Sequence, residues 1–170
     1  LPVLEALADL DVVLSVDSYH SETVRAAISH GAGMINDITG GRDLEVVAAV
    51  AEGEVAYALM HMQGSPQTMQ LAPSYRDVVA EVSAYLRDRY TSCRAAGVRA
   101  DSLLVDPGFG FGKTLEHNLA LLRYLSNLRV EDCPILVGLS RKTMIGKMTG
   151  QSVEARLSGS LAALLLALHN

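Results

Sequence analysis

The stretch Asp106-Pro107-Gly108-Phe109-Gly110-Phe111-Gly112-Lys113 packs three glycines, one carboxylate and one ammonium into eight residues, directly after the apolar run Leu103-Leu104-Val105. Glycine-rich loops with a lysine often cradle phosphate. A Walker loop needs four residues between its first glycine and the Gly-Lys pair, whereas Gly108 to Gly112 encloses three, and Pro107 stands where that glycine should be. The dinucleotide spacing GxGxxG fails as well, because the glycines fall at 108, 110 and 112. What remains is a carboxylate at the end of an apolar run, followed by a loop whose backbone can approach a ligand closely. That combination suits a flat, amidine-like ring.

Asp106 is one of several polar groups placed in this way. Short apolar runs at Val12 to Val16, Met34 to Ile35, Val55 to Met60, Leu103 to Val105 and Ile135 to Val137 read as five strands. They are followed by Asp17, by Asn36 with Asp37, by His61, by Asp106, and by Ser140 with Arg141 and Lys142. Each has a plain structural alternative. Asp17 reads equally as a cap or turn acid, Asn36-Asp37 as a turn pair, and His61 as a satisfied polar residue of the core. Lys142 reads as a solvated residue at a helix start, although a cation at the positive end of a helix dipole hints at a bound anion or electron-rich group.

Helical patterns at Ser21 to His30, Leu44 to Glu52, Ser74 to Ala96 and Glu116 to Leu128 alternate with the strands. Lys142 to Met148 and Val153 to Leu168 follow the last strand. The Ser74 helix carries Tyr75, Val78, Val79, Val82, Leu86 and Cys93 on one stripe and ends before Gly97. Strict alternation of apolar strands with helices predicts a parallel sheet covered by helices. An open doubly wound sheet and a (β/α)8 barrel both place ligands beyond the carboxyl ends of the strands. Polar groups at all five ends favour the barrel, which gathers every strand end around one axis.

The 170 residues are 49% hydrophobic and 19% charged, as in a globular domain. A net charge of -5 with scattered lysines and arginines offers no surface for nucleic acid. The longest strongly apolar stretch, Leu161 to Leu168, is too short for a membrane span and reads as a buried helix. Cys93 and Cys133 lack metal-site spacing and read as two buried reduced thiols. The opening LPVLEALADLD has no basic leader and already resembles the end of an amphipathic helix, so a cytoplasmic location and a fragment of a longer chain are the expectations.

Six blocks, LSVDSYHSETVRAA, GAGMINDITGG, LMHMQGSPQTMQ, LLVDPGFGFGKTLEHNL, LVGLSRKTMIG and RLSGSLAA, resemble in sequence and order the pterin-binding barrels and, among them, the dihydropteroate synthase family. The resemblance implies a partial (β/α)8 barrel of about strands 3 to 7, one pterin-binding domain over residues 1 to 170 truncated at both ends. It implies a transferase joining 6-hydroxymethyl-7,8-dihydropterin pyrophosphate to 4-aminobenzoate in folate biosynthesis. By that resemblance Asp106 pairs with the pterin 2-amino and N3 groups, a charge-assisted recognition. Asn36, Met60, Phe111 and Gly138 then complete the pterin pocket. Asp17 binds the pterin and stabilises the charge that develops as pyrophosphate leaves. Lys142 serves both substrates, and Ser140, with a weaker match at Arg141, receives the aminobenzoate carboxylate at a helix start.

A closed barrel of this type typically needs about 250 residues. The resemblance therefore places the pyrophosphate site and the ligands of a magnesium ion outside this chain, and implies that the 170 residues alone do not turn over. Its partners would be the two small-molecule substrates, with no nucleic acid or membrane, and a homodimer stays open. Two other readings stay open at this stage: a non-catalytic pterin-binding or assembly piece, and a pterin-dependent methyltransferase.

Overall fold

The structure, a computed structural model, describes residues 1 to 170. Four parallel strands form one sheet in the order β1-β2-β3-β4: β1 Ser15–Asp17, β2 Met34–Asp37, β3 Ala56–Met60 and β4 Leu103–Asp106. Spatial order equals chain order, so each strand is laid beside its predecessor through a crossover that contains a helix. These are α2 Ser21–Ser29, α3 Leu44–Gly53 and α4 Val78–Ala95. This is the winding of a (β/α)8 barrel, of which the chain holds a part.

The fifth expected strand, Ile135 to Val137, makes only one bridge, Val105 to Ile135. Val105 N–H donates to Pro134 O at 3.0 Å and Leu136 N–H donates to Val105 O at 2.8 Å. The next rung would need a donor from residue 107, and Pro107 has no N–H. The ladder therefore stops after one rung.

Strand register separates two faces. Ile35, Tyr57, Leu59, Leu103 and Val105 point toward the helices and join the main core. On the helix side α4 presents Val78, Val82, Leu86 and Cys93, a spacing that keeps one stripe buried. Fully burying such side chains is worth roughly 1.5–3 kcal/mol each. The sequence pattern places the start of α4 at Ser74, but the helix begins at Val78 because the Asp77 carboxylate caps it, accepting from the N–H groups of Val79 and Ala80. Tyr75 thus lies in the preceding loop, where its hydroxyl donates to Gly112 O at 2.8 Å.

Beyond β4 come α5 Leu115–Arg123, opened by a capping box of Thr114 and His117, then α6 Thr143–Thr149 and α7 Leu157–His169. Residues 125–128 form a separate 3-10 turn rather than the end of α5, and another occupies Val153–Ala155 ahead of α7. A short α1, Pro2–Leu7, precedes the sheet. The expectation of a buried helix over Leu161 to Leu168 is not met. Only Ser160, Ala163 and Ala167 of α7 are buried, while Leu161, Leu164, Leu165, Leu166 and Leu168 are exposed. A helix that is apolar on every side gives no periodic signal of which stripe turns inward. No helix is long and apolar enough to cross a membrane. Cys93 and Cys133 are buried free thiols, as read from their spacing.

Candidate functional site

Asp17, Met60 and Asp106 are the last residues of β1, β3 and β4, and Asn36 is the last but one of β2. The pairings Asp17 with Asn36, Asn36 with Ala58, and Met60 with Asp106 put all four side chains on the sheet face opposite the helices. Asn36 Nδ2 donates to Asp17 Oδ2 at 3.2 Å, while Asn36 Oδ1 is buried without a partner. A buried amide oxygen left in that state invites a donor from a ligand.

Asp37 is one residue along and so faces the other way. Its fully buried carboxylate accepts from Thr39 N–H, the Thr39 hydroxyl, Gly41 N–H and the Tyr57 hydroxyl. Burial and the adjacent Asp37 carboxylate push the Tyr57 phenol far above its usual range, so it stays a donor. Asp37 is thus the turn acid that shapes the loop, and Asn36 is the residue turned toward the site. Two arginines reinforce that loop: Arg89 donates to the carbonyls of Gly40 and Gly41, and Arg42 to Met62 O.

Asp106 is 7% exposed, and its Oδ1 accepts from Gly108 N–H at 2.7 Å, leaving Oδ2 for another donor. Burial raises the carboxyl above its ordinary range, opposed by the Gly108 hydrogen bond and the charges of Lys142 and Lys113. The loop that follows crosses under the end of β3. His61 N–H donates to Asp106 O at 2.9 Å, and a Cβ on Gly108 would sit 2.0 Å from His61 O. Gly108 must therefore be glycine, and its φ of 68° independently favours that residue. Phe109 is buried in the main core, while Phe111 stays partly open, with Lys142 Nζ 4.6 Å from its ring centroid. Phe111, Lys142, Gln70, Asn118 and Met144 border a cavity of about 360 Å³. Burial lowers the Lys142 ammonium, partly offset by Asp106.

His61 is 6% exposed, and burial next to Lys113 pulls its imidazole down to about 3. It is a neutral, satisfied residue of the interior, as its plain reading has it. Lys142 forms the N-cap of α6. The segment before it is open: Gly138, Ser140 and Arg141 are exposed, and Leu139 alone is buried. Arg141 holds φ of 53°, which costs a non-glycine residue of order 1 kcal/mol. Its N–H donates to Ser160 Oγ at 2.9 Å, and Arg156 Nη1 donates to its carbonyl at 3.1 Å.

The structure thus groups Asp106, Phe111 and Lys142, and separately pairs Asp17 with Asn36. Asp17 also borders a groove of about 640 Å³ between α1 and α2. Three contributors escaped the sequence pattern: Lys113, Arg156 and Ser160. Lys113 stands in a glycine-rich loop that fails the phosphate-binding spacings, and the loop carbonyls that accept from it, those of Gly108 and Phe111, leave no mark in the sequence. Arg156 and Ser160 lie in RLSGSLAA, a block with no chemistry of its own. No three His, Cys, Asp or Glu side chains gather into a metal-holding cluster.

The family model described as pterin binding enzyme matches residues 1–170. Dihydropteroate synthase of Escherichia coli strain K12 is 45% identical over 168 residues, covering 98% of this chain and 60% of that protein. The structure of Thermus thermophilus dihydropteroate synthase in complex with 4-aminobenzoate superposes with a TM-score of 0.94 at 47% identity, over 99% of this chain and 65% of that one. Burkholderia cenocepacia dihydropteroate synthase complexed with 7,8-dihydropteroate gives 0.91 at 44% identity, over 99% and 63%. The chain spans about 60% of the length of the curated relative from E. coli.

Proposed function

This chain belongs to the pterin-binding enzyme family, and from that premise we propose that it carries the pterin side of a dihydropteroate synthase. The reaction joins 6-hydroxymethyl-7,8-dihydropterin pyrophosphate to 4-aminobenzoate. The aniline nitrogen forms a bond to the exocyclic methylene carbon, the C–O bond to pyrophosphate breaks, and the nitrogen loses a proton. The single observation that carries this reading is the placement of Asp17, Asn36, Met60 and Asp106 on one sheet face at the carboxyl ends of adjacent strands.

In this reading the free Oδ2 of Asp106 and its already bonded Oδ1 take the two donors of the pterin's 2-amino and N3 edge. The unpartnered Oδ1 of Asn36 takes a further ring donor. Met60, buried beside Asp106, and Gly138 at the open end serve as walls for the ring. Phe111 and Lys142 close the ring's other side, the ammonium being held over the aromatic face and facing toward Asp106. Asp17 stands two strands from Met60, where a carboxylate stabilises positive charge on the methylene as pyrophosphate departs. Ser140 and Arg141, exposed just before Lys142, are the groups proposed for the aminobenzoate carboxylate. These residues bind, orient and stabilise charge, and none acts as a covalent nucleophile. Magnesium belongs to the proposal for the whole protein, with its ligands elsewhere than in these residues. Two buried free thiols fit a cytoplasmic setting.

The test is product formation. Purified full-length protein, supplied with the pterin pyrophosphate, 4-aminobenzoate and magnesium, should form 7,8-dihydropteroate and pyrophosphate, detected by chromatography with mass spectrometry. Binding of the dihydropterin without any product would replace the synthase with a pterin-binding role. Failure to bind it would remove both.

A further inference from the structure

Lys113 is the buried polar group that this reaction leaves unused. It is 4% exposed, and an ammonium is almost never buried unless its donors are matched. Here the match is complete. Its Nζ lies 2.9 Å from His61 Nδ1, 2.9 Å from Phe111 O, 3.0 Å from Gly108 O and 3.3 Å from His61 O. An ammonium has three N–H bonds, so these acceptors leave none for a ligand. The acceptors come from two elements: Gly108 and Phe111 from the loop after β4, and His61 from the residue after β3.

The geometry points to Lys113 as a positioning residue of the pterin site, whose ammonium ties the 108–112 loop to the end of β3 and so fixes where Asp106 and Phe111 meet a flat ring. This rests on the pterin reading above. Gly108 and Phe111 flank the backbone that carries the Phe111 ring, and Gly108 N–H is the donor that orients the Asp106 carboxylate. Releasing the two carbonyls would free both. The positive charge next to Asp106 also opposes the burial that would otherwise favour the protonated acid. Lys113 therefore acts through the loop and the carboxylate rather than on the substrate.

The arrangement has a proton dependence. Asp106, His61 and Lys142 face the ammonium, with Tyr75 and Arg42 packed around His61. Burial, aided by Lys142 and opposed by Asp106, pulls Lys113 down to about 7. Loss of its proton leaves two N–H bonds for the same acceptors, and the tie loosens as pH rises through that value.

The experiment is calorimetric binding of 6-hydroxymethyl-7,8-dihydropterin to the full-length protein at pH 6.5 and 8.5, for the wild type, Lys113→Met and Lys113→Gln. The wild type should bind more tightly at pH 6.5. Both variants should bind roughly 10- to 100-fold more weakly there, the range for losing a charged hydrogen-bonding group, and should lose the difference between the two pH values. Their KM for 4-aminobenzoate should stay within about twofold of wild type, which a general loss of structure would not allow. Variants that bind like the wild type, or that keep its pH difference, would overturn the inference. If neither variant folds, wild-type affinity that is flat from pH 6.5 to 8.5 does the same. A wild type that binds no dihydropterin at either pH would instead overturn the pterin reading on which the inference rests.

Discussion

The two loops that frame the site reach their shapes by opposite means. Residues 106 to 113 are held by a side chain of their own, which also ties them to His61 at the end of β3. Gly108, Gly110 and Gly112 all have positive φ, and the carbonyls of Gly108 and Phe111 turn onto Lys113 of the same short loop. Residues 138 to 142 are held from outside. Ser140 and Arg141 are exposed, and the left-handed backbone of Arg141 is maintained by Ser160 of α7 and by Arg156 just before it. The first loop supplies the lysine that orders it; the second borrows order from a helix further down the chain. Damage to the first should therefore register in pterin binding, and in folding too where its backbone is displaced, and damage to the second chiefly in the aminobenzoate half.

The largest expected effect is that of Gly108→Ala. The new Cβ would meet backbone, His61 O, at 2.0 Å, and nothing flexible can yield. Overpacking of that kind with a positive φ should cost about 3 kcal/mol or more, read as a shift in the denaturation midpoint. A stability equal to wild type would mean that the 108–112 loop is not locked against the end of β3.

Acid provides the next test. His61 titrates near 3 in the fold and near 6.5 when unfolded. Its folded value is depressed, so the stability tied to its neutral form is present above pH 6.5 and is lost as pH falls toward 3. The loss should be on the order of 2–3 kcal/mol after allowance for relaxation, and His61→Asn should flatten the curve between those pH values in urea melts. An unchanged slope would place the acid-sensitive group elsewhere.

Asp106→Asn should leave the fold intact and weaken dihydropterin binding by about 2 kcal/mol, because an amide offers one acceptor where the ring edge presents two donors. Calorimetry at neutral pH checks this, and undiminished affinity would reduce Asp106 to a turn acid. The smallest expected effect is Ser160→Ala. Removing the hydroxyl that receives Arg141 N–H should raise KM for 4-aminobenzoate by roughly five- to tenfold, about 1 kcal/mol, with pterin binding unchanged. Equal effects on both substrates would erase the contrast between the loops.

Much of the site was legible in the sequence because polar residues after apolar runs mark strand ends. Asp17, Asn36 and Asp106 all stand there, whereas Met60, an apolar residue ending its own run, came only from the resemblance. Periodicity also located the stripe of α4 but not its start, since Tyr75 satisfies the apolar spacing while Asp77 supplies the cap. Only the resemblance chose Asn36 over Asp37, because neighbouring residues of a strand point to opposite sides and the register that settles it belongs to the sheet. The part played by Lys113 lay deeper still. Three of its four acceptors are backbone carbonyls, and sequence gives no direct sign of where a carbonyl points.

Pro107 carries a consequence for how this region is free to evolve. Val105 and Leu136 share one rung, and the carbonyl of Leu136 takes no backbone hydrogen bond. Every other amino acid bears the N–H that proline lacks. Any replacement at 107 thus hands Leu136 a donor and favours one more rung, drawing the 135–138 segment along β4 toward the Asp106 carboxylate. Drift at this codon would narrow the mouth of the site even where the side chain itself touches nothing. A single absent proton thus limits how far two neighbouring stretches of chain can pair.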